Sequence, residues 1–95
     1  MKDVKTIAWN KNKNEKLRVE RGIDFNDIVL CLSNEDSILD IIDHPNQKKY
    51  PGQKIYVIEY VEYVYLVPYT ETDKEIFLKT IIPSRKATKE YLFSN

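Results

Sequence analysis

Apolar positions change their spacing several times along the chain, and each change predicts an element. After Trp9 comes Asn10, a residue suited to open a helix, and then Lys11 to Glu20 without a breaker. Gly22 supplies the stop, because glycine tolerates a left-handed backbone. This first helix carries Leu17, with Trp9 or Lys13, on one face and is polar elsewhere, so it belongs at the surface. Asp24 opens a second helix. Phe25, Ile28, Val29 and Leu32 recur at helical spacing, and the helix ends near Ser33 and Asn34 with its stripe facing a sheet.

Beyond that point the pattern becomes strand-like. Ser37 to Asp43 is a short β-rich run, and residues 44–53, with two prolines and a glycine, form a loop. Lys54 to Tyr60 and Tyr63 to Tyr69 are dense in Val, Ile and Tyr, side chains that suit a pleated surface. Val61 and Glu62 make the turn between them without the usual Gly or Asn. Thr70 to Lys74 is a polar turn. Glu75 to Pro83 is the last strand, with Ile76, Leu78, Thr80 and Ile82 on one side and Phe77, Lys79 and Ile81 on the other. Pro83 ends it, and Ser84 caps a final helix in which Ala87, Tyr91 and Leu92 recur near helical spacing. The expectation is one α+β domain over residues 1–95: two N-terminal helices, an antiparallel sheet of about four strands, and a C-terminal helix.

Composition narrows the class. A single cysteine, Cys31, excludes an internal disulfide framework and a cysteine zinc cluster, and points to a thiol-keeping compartment, the cytoplasm. No apolar run approaches the roughly 20 residues of a membrane span. Met1 to Ala8 shows no leader pattern. The net charge is zero, yet residues 1–22 carry +4, residues 23–46 carry −6, residues 47–78 carry −1 and residues 79–95 carry +3. If the basic ends meet, with Lys13 near Arg85, they make a face for a polyanion; the alternative is dispersal over a small surface.

Several chemistries are thinly represented. One His and one Cys in separate segments argue against a metal site, and two glycines cannot make a phosphate loop. His44, between Asp43 and Pro45, reads as a loop-capping residue. Cys31 sits in an apolar helix stripe and reads as a small buried hydrophobe, with a Cys nucleophile and His base as the alternative. Tyr56, Tyr60, Tyr63, Tyr65 and Tyr69 crowd two adjacent strands, either as amphipathic filler or as an aromatic surface for RNA bases or a protein partner. Ser84, Arg85 and Lys86 open the last helix. Basic residues there oppose the helix dipole, a cost that an anion at the spot would offset.

Ile82-Pro-Ser-Arg-Lys-Ala-Thr-Lys-Glu-Tyr91 resembles the I-S-A-R-K-A-T-x-x-E-x-x-x-Y ending of BrnT-type toxins of bacterial type II toxin–antitoxin systems. Upstream, Trp9-Asn-Lys-Asn-Lys13 through Arg21-Gly22-Ile23-Asp24-Phe25 is similar to their opening W-D-x-x-K … K-H-G-(I/V)-x-F, with no gap between Trp and Gly. The two motifs bracket nearly the whole chain. The chain departs from the pattern at Asn10, at Glu20-Arg21, and at Pro83-Ser84. The family's Glu-Arg pair before the central strands is not visible, and Gln47-Lys48-Lys49 lies near that place, so the resemblance is that of a divergent member.

The resemblance implies a RelE-like fold and a toxin that inhibits growth as a metal-independent endoribonuclease, with no cofactor. It also implies a cognate DNA-binding antitoxin encoded by an adjacent gene. RNA cleavage needs a base for the 2′-hydroxyl, a cation for the crowded phosphate and an acid for the leaving oxygen. The motifs place Lys79, Arg85, Lys86 and Tyr91 as the catalytic candidates, Arg85 for the phosphate and Tyr91 or Lys79 for proton transfer. Lys13 and Arg21 fall to RNA binding, and no metal ligand is implied. The alternative is a non-catalytic RNA- or protein-binding module on a degenerate toxin fold.

Overall fold

The computed structural model describes residues 5–93. The charges at Lys2 and Asp3, and the leader reading of the first four positions, lie outside these residues. The first element of the described residues is a strand, β1 (Thr6–Trp9), followed by α1 (Lys11–Arg21) and α2 (Phe25–Leu32). Local chemistry sets both helices. Asn10 Oδ1 accepts from the Lys13 N–H at 2.9 Å, and Gly22 ends α1 in the left-handed region at φ 69°. Asp24 and Asp27 form a reciprocal capping box at the start of α2. Asn14 Oδ1 accepts from the Phe25 N–H at 2.6 Å and ties one helix to the next.

A short 3-10 turn, Glu35–Ser37, leads into β2 (Ile38–Asp43), then β3 (Lys54–Tyr60), β4 (Tyr63–Glu71), β5 (Glu75–Leu78), β6 (Ile82–Pro83) and α3 (Arg85–Leu92). The fold is α+β, with two helices early and one at the C-terminal end. The sheet runs β1-β5-β4-β3-β2, with β6 also paired to β4. Among the described residues it therefore has six strands rather than about four, and it is mixed: β1 pairs parallel to β5, with Thr6 beside Glu75 and Trp9 beside Leu78.

The expected strand Glu75 to Pro83 forms, but with a break. Tyr69 pairs with Leu78, whereas Leu66 pairs with Ile82, so one extra residue lies between β5 and β6 along the same edge of β4. This bulge resets the alternation. Leu78 and Ile81 are both fully buried, and Ile82 faces outward, 40% exposed. Ile82 therefore does not share the face of Leu78, as strict alternation had predicted.

The sheet has apolar packing on both faces. Tyr56, Ile58, Val67, Tyr69, Leu78 and Ile81 meet Leu17 of α1 and Phe25, Ile28 and Cys31 of α2. The alternate residues Val57 and Val64 meet Ala87 of α3, with Leu39, Leu66 and Leu92 beside them. So α1 and α2 cover one face and α3 the other. Among the described residues, no helix is long and apolar enough to cross a membrane.

Candidate functional site

The face carrying α3 gathers most of the sequence-predicted chemistry. Its helix is fixed at the first turn. Ser84 Oγ accepts from the Ala87 N–H at 3.0 Å, and the Ser84 N–H donates to the Val64 carbonyl at 3.0 Å. Thr88, 5% exposed, accepts from the Val64 N–H at 2.9 Å and donates to the Ser84 carbonyl at 2.7 Å. The Thr of the Arg-Lys-Ala-Thr run is therefore a peg that docks α3 on β4. Arg85 and Lys86 stand exposed on that docked turn, and neither makes an ion pair among the described residues.

Lys79 comes to the same face through the bulge. Its backbone N–H donates to the Pro68 carbonyl at 2.8 Å, and its ammonium lies 5.0 Å from the centre of the Phe77 ring. The side chain lines a cleft of about 220 Å³ between the bulge and the 44–53 loop, together with His44, Tyr50, Gln53, Pro68, Thr80 and Ile82.

Tyr91 is on this face too, but its hydroxyl is engaged. It donates to Asp40 Oδ2 on β2 at 2.8 Å. That hydrogen bond to a carboxylate, more than burial, raises the Tyr91 pKa above its ordinary value of 10.0. A register shift in β2 between Ile38 and Asp40 accompanies this placement, with Asp40 set opposite Val57. Asp40 carries no motif and was not foreseen from sequence; only a register for β2 could have pointed to it.

Lys13 and Arg21 do not join this group. Both are on α1, across the sheet from α3, so the predicted single basic face linking Lys13 to Arg85 does not form. Arg21 instead donates to the Ile81 carbonyl, bracing the strand beside the bulge from the opposite side.

The tyrosines divide. Tyr56 and Tyr69 stack at 4.0 Å between ring centres and are buried in the core under the helices, the filler role. They cannot belong to an exposed partner-binding strip spanning Tyr56 to Tyr69. Tyr60, Tyr63 and Tyr65 are half-buried and pack edge to face at the hairpin end. His44 caps its loop, accepting at Nδ1 from the Asn46 N–H at 3.0 Å. Cys31 lies in the core beneath the helices, and burial, then Asp27, push its thiol pKa up, so it is less ionised than a free thiol and faces away from the cleft holding His44.

Among the described residues, no group of three or more His, Cys, Asp or Glu side chains is placed to hold a metal ion. Compared with protein families, curated proteins and solved structures, the chain matches none of them.

Proposed function

We propose that the chain is the toxin of a bacterial type II toxin–antitoxin pair, a divergent BrnT-type member with a RelE-like fold. In this reading it acts in the cytoplasm and inhibits growth by cutting RNA without a metal ion. One observation carries the proposal: Lys79, Arg85, Lys86 and Tyr91, assigned from the C-terminal motif and the strand before it, share the sheet face on which the cleft opens. Arg85, rigidly presented by the Ser84 and Thr88 anchors, is the phosphate-binding cation. Lys79, at the cleft, is the group for proton transfer. Tyr91, whose proton is committed to Asp40, orients the substrate. The cognate antitoxin, a DNA-binding product of an adjacent gene, silences the toxin by covering this cationic face, and its association slows as salt rises.

Expression of the chain alone tests the reading. Growth should slow, purified protein should cut RNA in the presence of a chelator, and Arg85→Ala should relieve both. A folded Arg85→Ala protein as toxic as the parent removes Arg85 from the site. The engagement of Tyr91 by Asp40 favours a second reading, a non-catalytic RNA- or protein-binding module, which predicts binding without growth inhibition or cleavage.

A further inference from the structure

The 44–53 loop is more ordered than its composition suggests. The Gln47 side chain clamps it, donating to the His44 and Gln53 carbonyls at 2.8 and 3.1 Å and accepting from the Gly52 N–H at 3.0 Å. The His44 N–H donates to the Gln53 carbonyl at 2.9 Å and closes the base. On this frame the His44 and Tyr50 rings lie 4.4 Å apart, and the Lys49 ammonium sits 5.4 Å from the centre of the Tyr50 ring. Residues 44–54 contain Lys48, Lys49 and Lys54 and no Asp or Glu.

From this geometry we infer that the cleft between the loop and the β5–β6 bulge is a recognition pocket for a single unpaired RNA base. The inference rests on the ribonuclease reading and adds to it where the RNA is held. The His44–Tyr50 ring pair walls the cleft, and Pro68 and Ile82 supply apolar surface, the environment in which an unstacked base is favoured. Lys79 provides a cation for the adjoining phosphate. Three lining groups have hydrogen-bonding capacity left for a base edge. His44 uses Nδ1 as an acceptor within the loop, which leaves Nε2 to face a base edge. The Gln53 side-chain amide and the Thr80 hydroxyl make no hydrogen bond among the described residues. At about 220 Å³ the cleft is on the scale of one ring system and its solvent, not of a duplex. The cationic surround favours an anionic chain over a neutral or basic one.

The test uses 2′-O-methyl hexanucleotides, which bind but cannot be cut, each carrying one 4-thiouridine for photocrosslinking. Tyr50 takes part in the loop through its backbone, its N–H donating to Asn46 and its carbonyl accepting from Gln53, so Tyr50→Ala leaves that frame in place. Ile82→Trp fills the cleft from the other side and leaves the loop's own residues unchanged. The expected result is crosslinking to the 44–53 loop and a loss of affinity of about tenfold or more in each variant, the scale of one lost base–aromatic stack. Equal binding by parent and both variants, or crosslinks confined to α3, overturns the pocket while cleavage by the parent leaves the ribonuclease reading standing. Absence of both binding and cleavage removes the two together. If the variants bind RNA normally but lose co-purification with the adjacent gene's product, the cleft belongs to a protein partner and the inference fails.

Discussion

The hydroxyl of Tyr91 on α3 donates to Asp40 Oδ2 on β2 at 2.8 Å, joining residues 51 positions apart. The contact anchors the C-terminal part of α3 to the edge strand β2, two strands away from its Ser84 anchor on β4. It is partly exposed, so its strength is modest, about 0.5–1 kcal/mol. A double-mutant cycle with Tyr91→Phe and Asp40→Ala, read by urea unfolding, should return a coupling energy of that size. Additive losses would show that the two side chains do not interact in solution.

Thr88 makes a stronger demand because it is buried. Replacing it with Val keeps the shape but leaves the Val64 N–H without its acceptor. Thr88→Val should cost about 1–3 kcal/mol in unfolding free energy, and Thr88→Ser much less. If the chain is the ribonuclease proposed above, the same change should weaken RNA cleavage, because Arg85 and Lys86 ride on the turn that Thr88 docks. A Thr88→Val protein as stable as the parent would mean that the amide finds another partner.

What the sequence made legible was what neighbouring residues decide. Asn10, Asp24 and Ser84 were readable as helix starts, because a cap needs only the next three residues. Gly22 was readable as a stop for the same reason. The strand β1 was not, since four residues carry no pattern and their partner, Glu75 to Leu78, lies at the other end of the chain. The bulge was also invisible. Ile76, Leu78, Thr80 and Ile82 alternate cleanly in sequence, and only pairing to β4 shows where the phase slips. Lys79, Arg85, Lys86 and Tyr91 were nameable from the motif that ends the chain and the strand before it. Asp40 and the His44–Tyr50 wall were not, because both depend on strands whose register the sequence does not print.

The hairpin between β3 and β4 carries avoidable strain. Tyr60 pairs with Tyr63, so Val61 and Glu62 alone make the turn, at φ 51° and 59°. Both are in the left-handed region, which suits Asn and Gly and disfavours a β-branched Val. Val61 is 79% exposed, so its side chain adds little packing in return. The double substitution Val61→Asn, Glu62→Gly should raise stability by about 1 kcal/mol or more, measured by chemical unfolding. A loss of stability would mean that the Val61 and Glu62 side chains make contacts that outweigh the strain.

Stability should fall on the alkaline side, and the stacked pair Tyr56 and Tyr69 gives the reason. Tyr69 is 3% exposed; burial first, then the neighbouring Tyr56, Glu71 and Asp43, push its pKa far above the ordinary 10.0. Burial likewise raises Tyr56, although the neighbouring Tyr69 hydroxyl works in the opposite direction. A phenol that resists ionisation in the folded state and ionises normally in the unfolded chain favours unfolding once the pH passes its unfolded value. Their contribution is therefore intact below pH 10.0 and declines as pH rises above it. Urea midpoints should hold steady from neutrality to that point and then drop, with tyrosinate absorbance from these residues appearing only on unfolding. Tyr69→Phe, which keeps the stack and removes the ionisable group, should make the decline shallower. An identical decline in Tyr69→Phe would assign the alkaline loss to other groups and sink the explanation.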